Sequence, residues 1–479
     1  MANPIPNAPE AVLSTLDLAG NRKWIYPTPS HGRFWRARLI VGWVLIAIFV
    51  ALPWIEIGNR PAIFLDLARR EFTFFGLTLH PTDSVLLMVF ALTVLMAVFF
   101  ITALFGRIWC GWGCPQTIYL EFVYRPIERM IEGKEVQRRR RDQGPWTFDK
   151  GWRKSFKWLI FAAISVSLAH TFVAYFAGWE NLLEWMGQSP AEAPAYFAMM
   201  AVTTGLIFFD FAYFREQMCT ITCPYARLQS VLMDDDSLIV SYDRGRGEQR
   251  ATYRDRRKNT DVLDLDDGEV RFGDCIDCGA CVRTCPTGID IRDGLQMECV
   301  SCTACVDACD YIMDSIDKPR GLIRYTSERA ISGEDTKVSR PRLYLYGALL
   351  LILSTVLVGL VSTRAPMEID VQRVRGTTYN ITNDEQVANR LSLRLRNRTS
   401  EAGALEVTPT APEGARIRIV GAEQPILQPG ELTRMEAWIT VPEDRMPPGG
   451  AVAEFEFRIH DQLVETVQLR LLGPHDNAH

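Results

Sequence analysis

The sequence predicts a multi-domain chain: an α-helical membrane bundle of five spans, an inserted cysteine-rich domain and a C-terminal all-β sandwich. Three observations predict it. Five apolar stretches have about the length that a bilayer requires, eight cysteines lie between the fourth and the fifth stretch, and short alternating runs follow the fifth. The composition shifts divide the chain into an N-terminal segment (1–38), a four-span membrane domain (39–232), the cysteine-rich domain (233–340), a fifth membrane helix (341–362) and the sandwich (363–479).

Composition agrees with this alternation of apolar and polar segments. The chain has 479 residues, of which 48% are hydrophobic, and its mean hydropathy is close to zero. A net charge of −5 gives no sign of a nucleic-acid partner. All 12 cysteines fall in three places, two pairs and a run of eight. None remains for a structural disulfide.

The five predicted spans are Leu39–Ile55, Val85–Phe105, Trp158–Ala177, Tyr196–Phe211 and Leu343–Val361. Lys and Arg are concentrated before the first span and after the second, whereas the loop after the third has acidic residues and neither Lys nor Arg. This bias predicts that the N-terminus and the cysteine-rich domain are cytoplasmic and that the C-terminal domain is periplasmic. The segment 56–83 departs from the rule, because it carries Arg60, Arg69 and Arg70 on the outer side.

Two C-x-x-x-C-P motifs follow the second and the fourth span. They occur in RIWCGWGCPQT (107–117) and in QMCTITCPYAR (217–227), so the arrangement of two spans and one motif is repeated. Both motifs are predicted to lie at the cytoplasmic membrane edge, where thiols are kept reduced and metal or redox chemistry is favoured over disulfides. The four cysteines are Cys110, Cys114, Cys219 and Cys223.

Four such sulfurs could converge on one site. The proline behind each pair favours a helix start, which predicts that Cys114 and Cys223 are N-caps with a lowered thiol pKa. Thiolates are soft ligands that suit Cu(I), zinc or an iron–sulfur cluster. The sequence leaves the metal open, and the alternative is that these cysteines only pack the mouth of the bundle.

The run of eight cysteines is the most specific motif. C-x2-C-x2-C-x3-C occurs twice, as in two-cluster bacterial ferredoxins, where the fourth cysteine of each run binds the other cluster. The predicted cofactors are two [4Fe–4S] clusters. Asp310 stands where a proline is expected, and a pair of zinc sites is the alternative. The ligand sets are Cys275, Cys278, Cys281 and Cys309 for the first cluster, and Cys299, Cys302, Cys305 and Cys285 for the second.

Two weaker metal ligands are His170 and Met218. An ionisable residue within a span is a functional hypothesis by default, although a neutral histidine bonded to a neighbouring helix is the alternative. Met218 stands next to Cys219, and a thioether is a soft ligand.

After the last span, alternating runs such as LSLRLRN and AEFEFRIH are separated by Pro/Gly turns. Short strands at this spacing predict an antiparallel sandwich of immunoglobulin type. Because it lacks cysteine, we expect it to contact proteins rather than metals.

The order of spans, the CGWGCPQT and CTITCPYAR elements, the run GIDIRDGLQMECVSCTACVDACD and GLIRYTSERA resemble the cytochrome c oxidase accessory protein family (CcoG/FixG/RdxA). The resemblance implies a bacterial inner-membrane protein that binds copper at Cys110, Cys114, Cys219 and Cys223. It also implies reduction of Cu(II) to Cu(I) for assembly of cbb3-type cytochrome c oxidase.

The expected partners are the membrane, a cytoplasmic electron donor, and copper-delivery or oxidase-assembly proteins. The sequence does not determine whether the chain forms a homodimer. Two other functions are considered. A quinol dehydrogenase subunit of the NapH type shares the paired motifs and the two-cluster domain, but the sandwich argues against it. A non-catalytic copper scaffold or redox sensor would keep the sites without electron turnover.

Overall fold

The computed structural model describes residues 14–16, 19–58, 60–252, 254–255, 272–336, 339–374, 376, 378–399, 401–421, 424–459 and 462–474. The chain divides into two compact units. The first comprises Met1–Ile55, Ile63–Leu67 and Leu87–Thr355, and the second comprises Glu56–Ala62, Ala68–Leu86 and Val356–His479.

Among the described residues, five helices are long and apolar enough to cross a membrane, which agrees with the five predicted spans. In chain order, spans one to five are Arg33–Trp54, Ser84–Phe105, Phe148–Ala177, Pro194–Phe214 and Pro341–Ser362. Little of each span is buried inside the protein, and none of the apolar window of span five is. Their apolar side chains therefore suit lipid contact. Spans three and four pack through a cluster that includes Val173, Tyr196 and Met200.

Span three begins ten residues earlier than its predicted start at Trp158. The Thr147 hydroxyl caps it by accepting a hydrogen bond from the Lys150 amide. Lys150 and Lys157 are buried on its first turns, where carbonyl and carboxylate groups contact their ammonium groups. Hydropathy alone misses such residues, because the partners that stabilise them lie far along the chain or on the backbone.

Short helices connect the spans. They are Ile108–Trp112, Pro115–Tyr119, Arg125–Glu132, Glu135–Gln143, Trp179–Met186 and Pro224–Leu232, with π-helical turns at Leu120–Tyr124, Asp210–Phe214 and Met218–Thr222 and a 3₁₀ turn at Leu52–Trp54. The strand Ile63–Asp66 also belongs to the first unit.

In the described part of the cysteine-rich domain, Ile239–Tyr242 pairs with Ile323–Thr326 in a two-stranded antiparallel sheet. The helices Ala280–Thr284 and Ala304–Ser315 pack with this sheet around Val240, Val306 and Met313. Each helix begins one residue before the third cysteine of a closely spaced group, Cys281 or Cys305. Shorter pieces are Arg244–Gly247, Ile291–Asp293 and Glu328–Ile331.

The second unit contains an antiparallel β-sandwich, which confirms the predicted fold. One sheet has the strands Arg416–Ile419, Leu432–Pro442, Gln386–Asn397 and Met367–Arg373 in that order. The short strand Asn380–Ile381 also pairs with Gln386–Asn397. The other has Ile426–Leu427, Gly403–Ala411, Val452–Ile459 and Gln462–Arg470. The alternation in LSLRLRN buries Leu391, Leu393 and Leu395, which form a core with Phe455 and Phe457.

The segment between spans one and two contributes the hairpin Glu71–Phe74 and Leu77–Leu79 to the second unit. Glu71 accepts a 2.9 Å hydrogen bond from Arg396 and lies 3.3 Å from Arg60. Arg60, which departs from the charge rule, is therefore neutralised by a carboxylate.

Candidate metal centres

The eight cysteines of the inserted domain surround two cavities. Cys275, Cys278, Cys281 and Cys309 line one of them. Cys285, Cys299, Cys302 and Cys305 line the other, together with Cys281. The fourth cysteine of each run therefore lies with the first three cysteines of the other run, as the ferredoxin spacing predicts.

The backbone repeats the same conformation at both groups. Asp277 and Ser301 have positive φ (49° and 52°), and so do Gly279 and Thr303 two residues later (64° and 59°). A non-glycine residue in this region costs about 1–3 kcal/mol and is typical of functional sites. Here it bends each loop around its thiols before a helix starts at Ala280 or Ala304.

Burial and repulsion between thiolates raise the pKa of several of these thiols. Burial is the main cause, and neighbouring cysteines add to it at Cys281 and Cys302, whose pKa is about 11, and at Cys309, whose pKa is about 12. Buried thiolates at such spacing need a cationic group between them. Four sulfurs around each cavity are the donor set of a [4Fe–4S] cluster, so the residues fit the cofactor.

Two aspartates near these cysteines have structural roles that the sequence did not reveal. Asp310, which replaces the expected proline, accepts a 3.0 Å hydrogen bond from the Gly321 amide. The Asp307 carboxylate accepts hydrogen bonds from the amides of Phe34 (3.2 Å) and Trp35 (2.7 Å). It thereby satisfies the start of span one with an anion from the cysteine-rich domain.

The two C-x-x-x-C-P motifs have matching backbones. The Cys114 amide donates to Trp109 O (2.8 Å) and the Cys223 amide donates to Met218 O (2.9 Å), both five residues back. Both cysteines are extended N-caps followed by a helical proline, which confirms the predicted caps. Glycine between the first pair and β-branched residues between the second therefore lead to the same turn.

The four motif thiols lie in one electrostatic environment. Burial raises the pKa of Cys110 to about 11, and Cys114 and Cys223 add to this. The pKa of Cys219 is raised by burial and then by the other three thiols. The Cys110 thiol also donates a 3.5 Å hydrogen bond to Gln229 Oε1, on the helix that follows the second motif.

The predicted lowering of the Cys114 pKa is wrong. The amides of Gln116 and Thr117 do lower it, as expected at a helix start, but burial outweighs them and the pKa of Cys114 is raised. In the described part of the chain, no three or more Cys, His, Asp or Glu side chains are placed to hold a single metal ion. The four motif thiols lie near one another but are not arranged around a single ion.

The first motif packs directly on the loop of Cys302. A Cβ added to Gly111 would lie 2.7 Å from Val300 O and 2.8 Å from Cys302 Cα, so only glycine fits. Buried Arg38 donates a 2.8 Å hydrogen bond to Gly111 O, and its positive charge lowers the pKa of Cys302 against the effect of burial.

Two further contacts join the same surfaces. Arg107 donates to Cys299 O at 3.2 Å and also to Met297 O. Trp112 Nε1 donates to the Tyr325 hydroxyl, which donates to Ser301 O. The tryptophan and glycines between the cysteines are the one sign of these contacts in the sequence, which has none for Arg38 or Tyr325.

A buried ion cluster joins the helix that follows the first motif to the residues that precede the second motif. Glu128, on the helix Arg125–Glu132, accepts hydrogen bonds from Arg215 at 2.8 and 3.0 Å. Although burial alone would raise its pKa, Arg215, Arg138 and Lys157 hold the pKa of Glu128 well below its usual range. Arg125 reaches from the same cluster to Pro286 O at 3.1 Å.

The two weaker candidates are placed differently. The His170 ring contacts Val166 O (2.8 Å) and the Tyr196 hydroxyl (3.1 Å). Tyr196 is near the start of span four, about 20 Å along the helix from Asp210, so the structure does not bring His170 to the thiols. Met218 begins the π turn that carries Cys219.

Three family models match parts of this chain. Residues 214–328 match a family described as a 4Fe-4S dicluster domain, and residues 87–134 match a 4Fe-4S binding domain. Residues 357–474 match the IG-like fold at the C-terminal of FixG. The first two matches include all 12 cysteines.

Curated relatives cover almost the whole chain. Protein RdxA of Cereibacter sphaeroides is 32% identical over 457 residues, with 91% of this chain and 93% of RdxA covered. The nitrogen fixation protein FixG of Rhizobium meliloti is 31% identical, with 88% and 87% covered. A crystal structure of a FixG-related protein from Vibrio parahaemolyticus covers 23% of this chain and 97% of its own, at 15% identity and a TM-score of 0.20.

Apolar spans and cysteine centres of this kind define a membrane-bound iron–sulfur electron-transfer protein. The curated relatives also identify its family. The chain belongs to the FixG/RdxA family.

Proposed function

We propose that this protein transfers electrons, one at a time, to copper bound at Cys110, Cys114, Cys219 and Cys223, and so reduces Cu(II) to Cu(I). The released Cu(I) would serve assembly of cbb3-type cytochrome c oxidase. The motifs and the cysteine-rich domain would be cytoplasmic and the sandwich periplasmic, in the bacterial inner membrane.

The packing of Gly111 on the Cys302 loop carries this proposal. Gly111 lies between Cys110 and Cys114, and Cys302 belongs to the second predicted ligand set, so the backbones that carry these two groups of thiols pack directly against each other. Electron transfer between centres requires close approach, and a side chain at residue 111 would push the two backbones apart.

The cysteine-rich domain would supply the reducing electron. When bound by Cys275, Cys278, Cys281 and Cys309 and by Cys285, Cys299, Cys302 and Cys305, [4Fe–4S] clusters each exchange one electron, as the Cu(II)/Cu(I) couple requires. Arg107 and Tyr325 hold the second ligand loop against the first motif, and Arg38 holds Gly111 of that motif. The sulfur-rich motif site would favour Cu(I) over Cu(II), because thiolates are soft ligands.

A third iron–sulfur cluster at the motif cysteines is the second candidate. The match of residues 87–134 to a 4Fe-4S binding domain favours it, since Cys110 and Cys114 are the only cysteines in that range. A cluster of several irons also suits thiols that are not placed to hold one ion.

One set of measurements separates the two candidates. Iron, sulfide and copper are counted in anaerobically purified protein and in a variant with Cys110, Cys114, Cys219 and Cys223 replaced by serine. About eight irons in both proteins, with copper lost only from the variant, supports the copper site. A loss of about four irons from the variant supports a third cluster.

The reductase reaction is tested by stopped-flow mixing of reduced protein with Cu(II). We expect Cu(I) to form in step with oxidation of the iron–sulfur absorbance, and the serine variant to lose this coupling. Cluster oxidation without Cu(I) would contradict the proposal. Dependence of activity on added quinol, with no effect of copper, would favour a quinol dehydrogenase instead.

A further inference from the structure

A cavity of about 780 Å³ lies behind the buried ion cluster, at the ends of spans three and four. Its walls come from residues 23–26, the helix Glu135–Gln143, the first turns of span three and the last turns of span four. The volume is in the range of small-ligand sites. The cavity lies on the same side as the cysteine-rich domain, because Arg125 of the adjoining cluster bonds to Pro286.

Positive charge dominates the lining. Seven basic and three acidic side chains face the cavity. The acids are already neutralised, Glu128 by Arg215, Glu132 by Lys157 and Asp142 by Lys154.

Arg138 also pairs with Glu128 and Glu132, so three of the seven cations remain without an acidic partner in the described part of the chain. Lys23, Arg139 and Lys150 have no carboxylate within ion-pair distance among the described residues. Lys150 is 5% exposed, and among the described residues its ammonium donates only to the backbone carbonyls of Asp142 (3.2 Å) and Gly144 (2.7 Å). A buried ammonium without a counter-ion favours an anionic ligand.

The apolar part of the wall indicates a ligand that has an apolar part as well as a negative charge. Trp146 and Trp158 are 73% and 49% exposed, and the Lys150 ammonium lies 5.2 Å from the centre of the Trp146 ring. Phe208 and Ala212 extend the wall along span four. Exposed tryptophans at the end of a span are typical of the level of lipid headgroups.

We propose that this cavity binds the phosphate headgroup of an anionic phospholipid from the adjoining leaflet. Lys23, Arg139 and Lys150 would contact the phosphate, and Trp158 and Phe208 the first part of the acyl chains. Arg215, which pairs with Glu128 and lies four residues before Cys219, lines the same cavity as the bound lipid. This site is independent of the metal at the motif cysteines.

Native mass spectrometry of the full-length protein in detergent tests the proposal, with dioleoylphosphatidylglycerol as the probe and dioleoylphosphatidylcholine as the neutral lipid. We expect one phosphatidylglycerol per chain, and about a thirtyfold weaker affinity when Lys150→Gln and Arg139→Gln are combined. Lys150→Arg should keep the lipid, because it keeps the charge. Arg342→Gln is the matched control, since Arg342 is exposed at the start of span five on the same side.

The outcomes are decisive in both directions. Arg139 is exposed, so Arg139→Gln alone tests the charge even if the double variant does not fold, and it should weaken binding about fivefold. Equal affinity of the Gln variants and the unmodified protein for phosphatidylglycerol would overturn the proposal. So would equal retention of phosphatidylcholine. Displacement of the lipid by millimolar inorganic phosphate would assign the cavity to a small anion, and an unchanged iron content confirms that each variant is folded.

Discussion

The indole Nε1 of Trp112 donates a 2.9 Å hydrogen bond to the hydroxyl of Tyr325. The same hydroxyl donates a 3.0 Å hydrogen bond to Ser301 O, next to Cys302. Trp112 lies between Cys110 and Cys114, and Tyr325 lies on a strand of the cysteine-rich domain. One phenol oxygen therefore joins the first motif to the second ligand loop.

Tyr325→Phe should loosen this junction without removing the aromatic ring. The indole N–H and the Ser301 carbonyl would both lose a partner, which costs about 1–3 kcal/mol for each buried group. We expect faster hydrogen–deuterium exchange in peptides that contain Trp112 and Ser301, and several-fold slower Cu(I) formation. Tyr311→Phe is the control, because Tyr311 is 74% exposed. Equal exchange in both variants would show that the hydroxyl is dispensable.

Gly111→Ala should separate the first motif from the Cys302 loop. The new methyl group would meet backbone atoms, which cannot rotate away, and overpacking of this kind costs about 1–3 kcal/mol. We expect normal iron content and a slower electron transfer to copper, measured by stopped flow. Gly113→Ala is the matched control, since the atoms nearest to its Cβ belong to the Trp109 side chain, which is half exposed and can rotate away. If both alanines slow the reaction equally, the Gly111 contact is not the electron path.

Arg38→Met should lower the reduction potential of the cluster nearest Cys302. A positive charge stabilises the more negative, reduced state, so its loss disfavours reduction. A change of about 1 kcal/mol corresponds to about 40 mV for one electron. A redox titration followed by electron paramagnetic resonance measures the shift. Arg36→Met, at an exposed position of the same helix, should leave the potential unchanged.

The sequence predicted the features that depend on residues close together in the chain. Cysteine spacing predicted which thiols share a cavity, and the alternation in LSLRLRN predicted the buried leucines. The prolines after Cys114 and Cys223 predicted the caps. The sequence did not predict contacts between segments far apart in the chain, such as Arg38 with Gly111. It also gave the wrong sign for the Cys114 pKa, because burial depends on tertiary packing rather than on the motif.

Glu71 makes the second unit sensitive to acid. Burial would raise its pKa, but a hydrogen bond to His80 and the charges of Arg60 and Arg396 lower it to about 2. A lowered pKa in the folded state means that Glu71 contributes stability above about pH 4.5, and that this contribution is lost as the pH falls towards 2. We expect Glu71→Gln to remove about 1–3 kcal/mol at neutral pH and less at pH 2 to 3.

Thermal unfolding of the two proteins between pH 2 and 6 measures this difference. The destabilisation by Glu71→Gln should shrink with acidification, since the unmodified Glu71 becomes neutral there. Glu436→Gln is the comparison, because the pair of Glu436 and Arg390 is exposed and worth about 1 kcal/mol or less. A constant difference between unmodified protein and Glu71→Gln across the range would contradict the assignment.

Glu128→Gln should damage both motifs together. Glu128 is 2% exposed and neutralises Arg215, Arg138 and Lys157, so the amide would leave buried cations without their partner. Loss of one partner in a buried ion pair costs about 3–5 kcal/mol. We expect a lower unfolding temperature, together with increased alkylation of Cys110 and Cys219 by a thiol reagent under anaerobic conditions. Glu180→Gln, at an exposed helix position, should change neither. Destabilisation without greater thiol reactivity would mean that the ion cluster stabilises the fold without positioning the motifs.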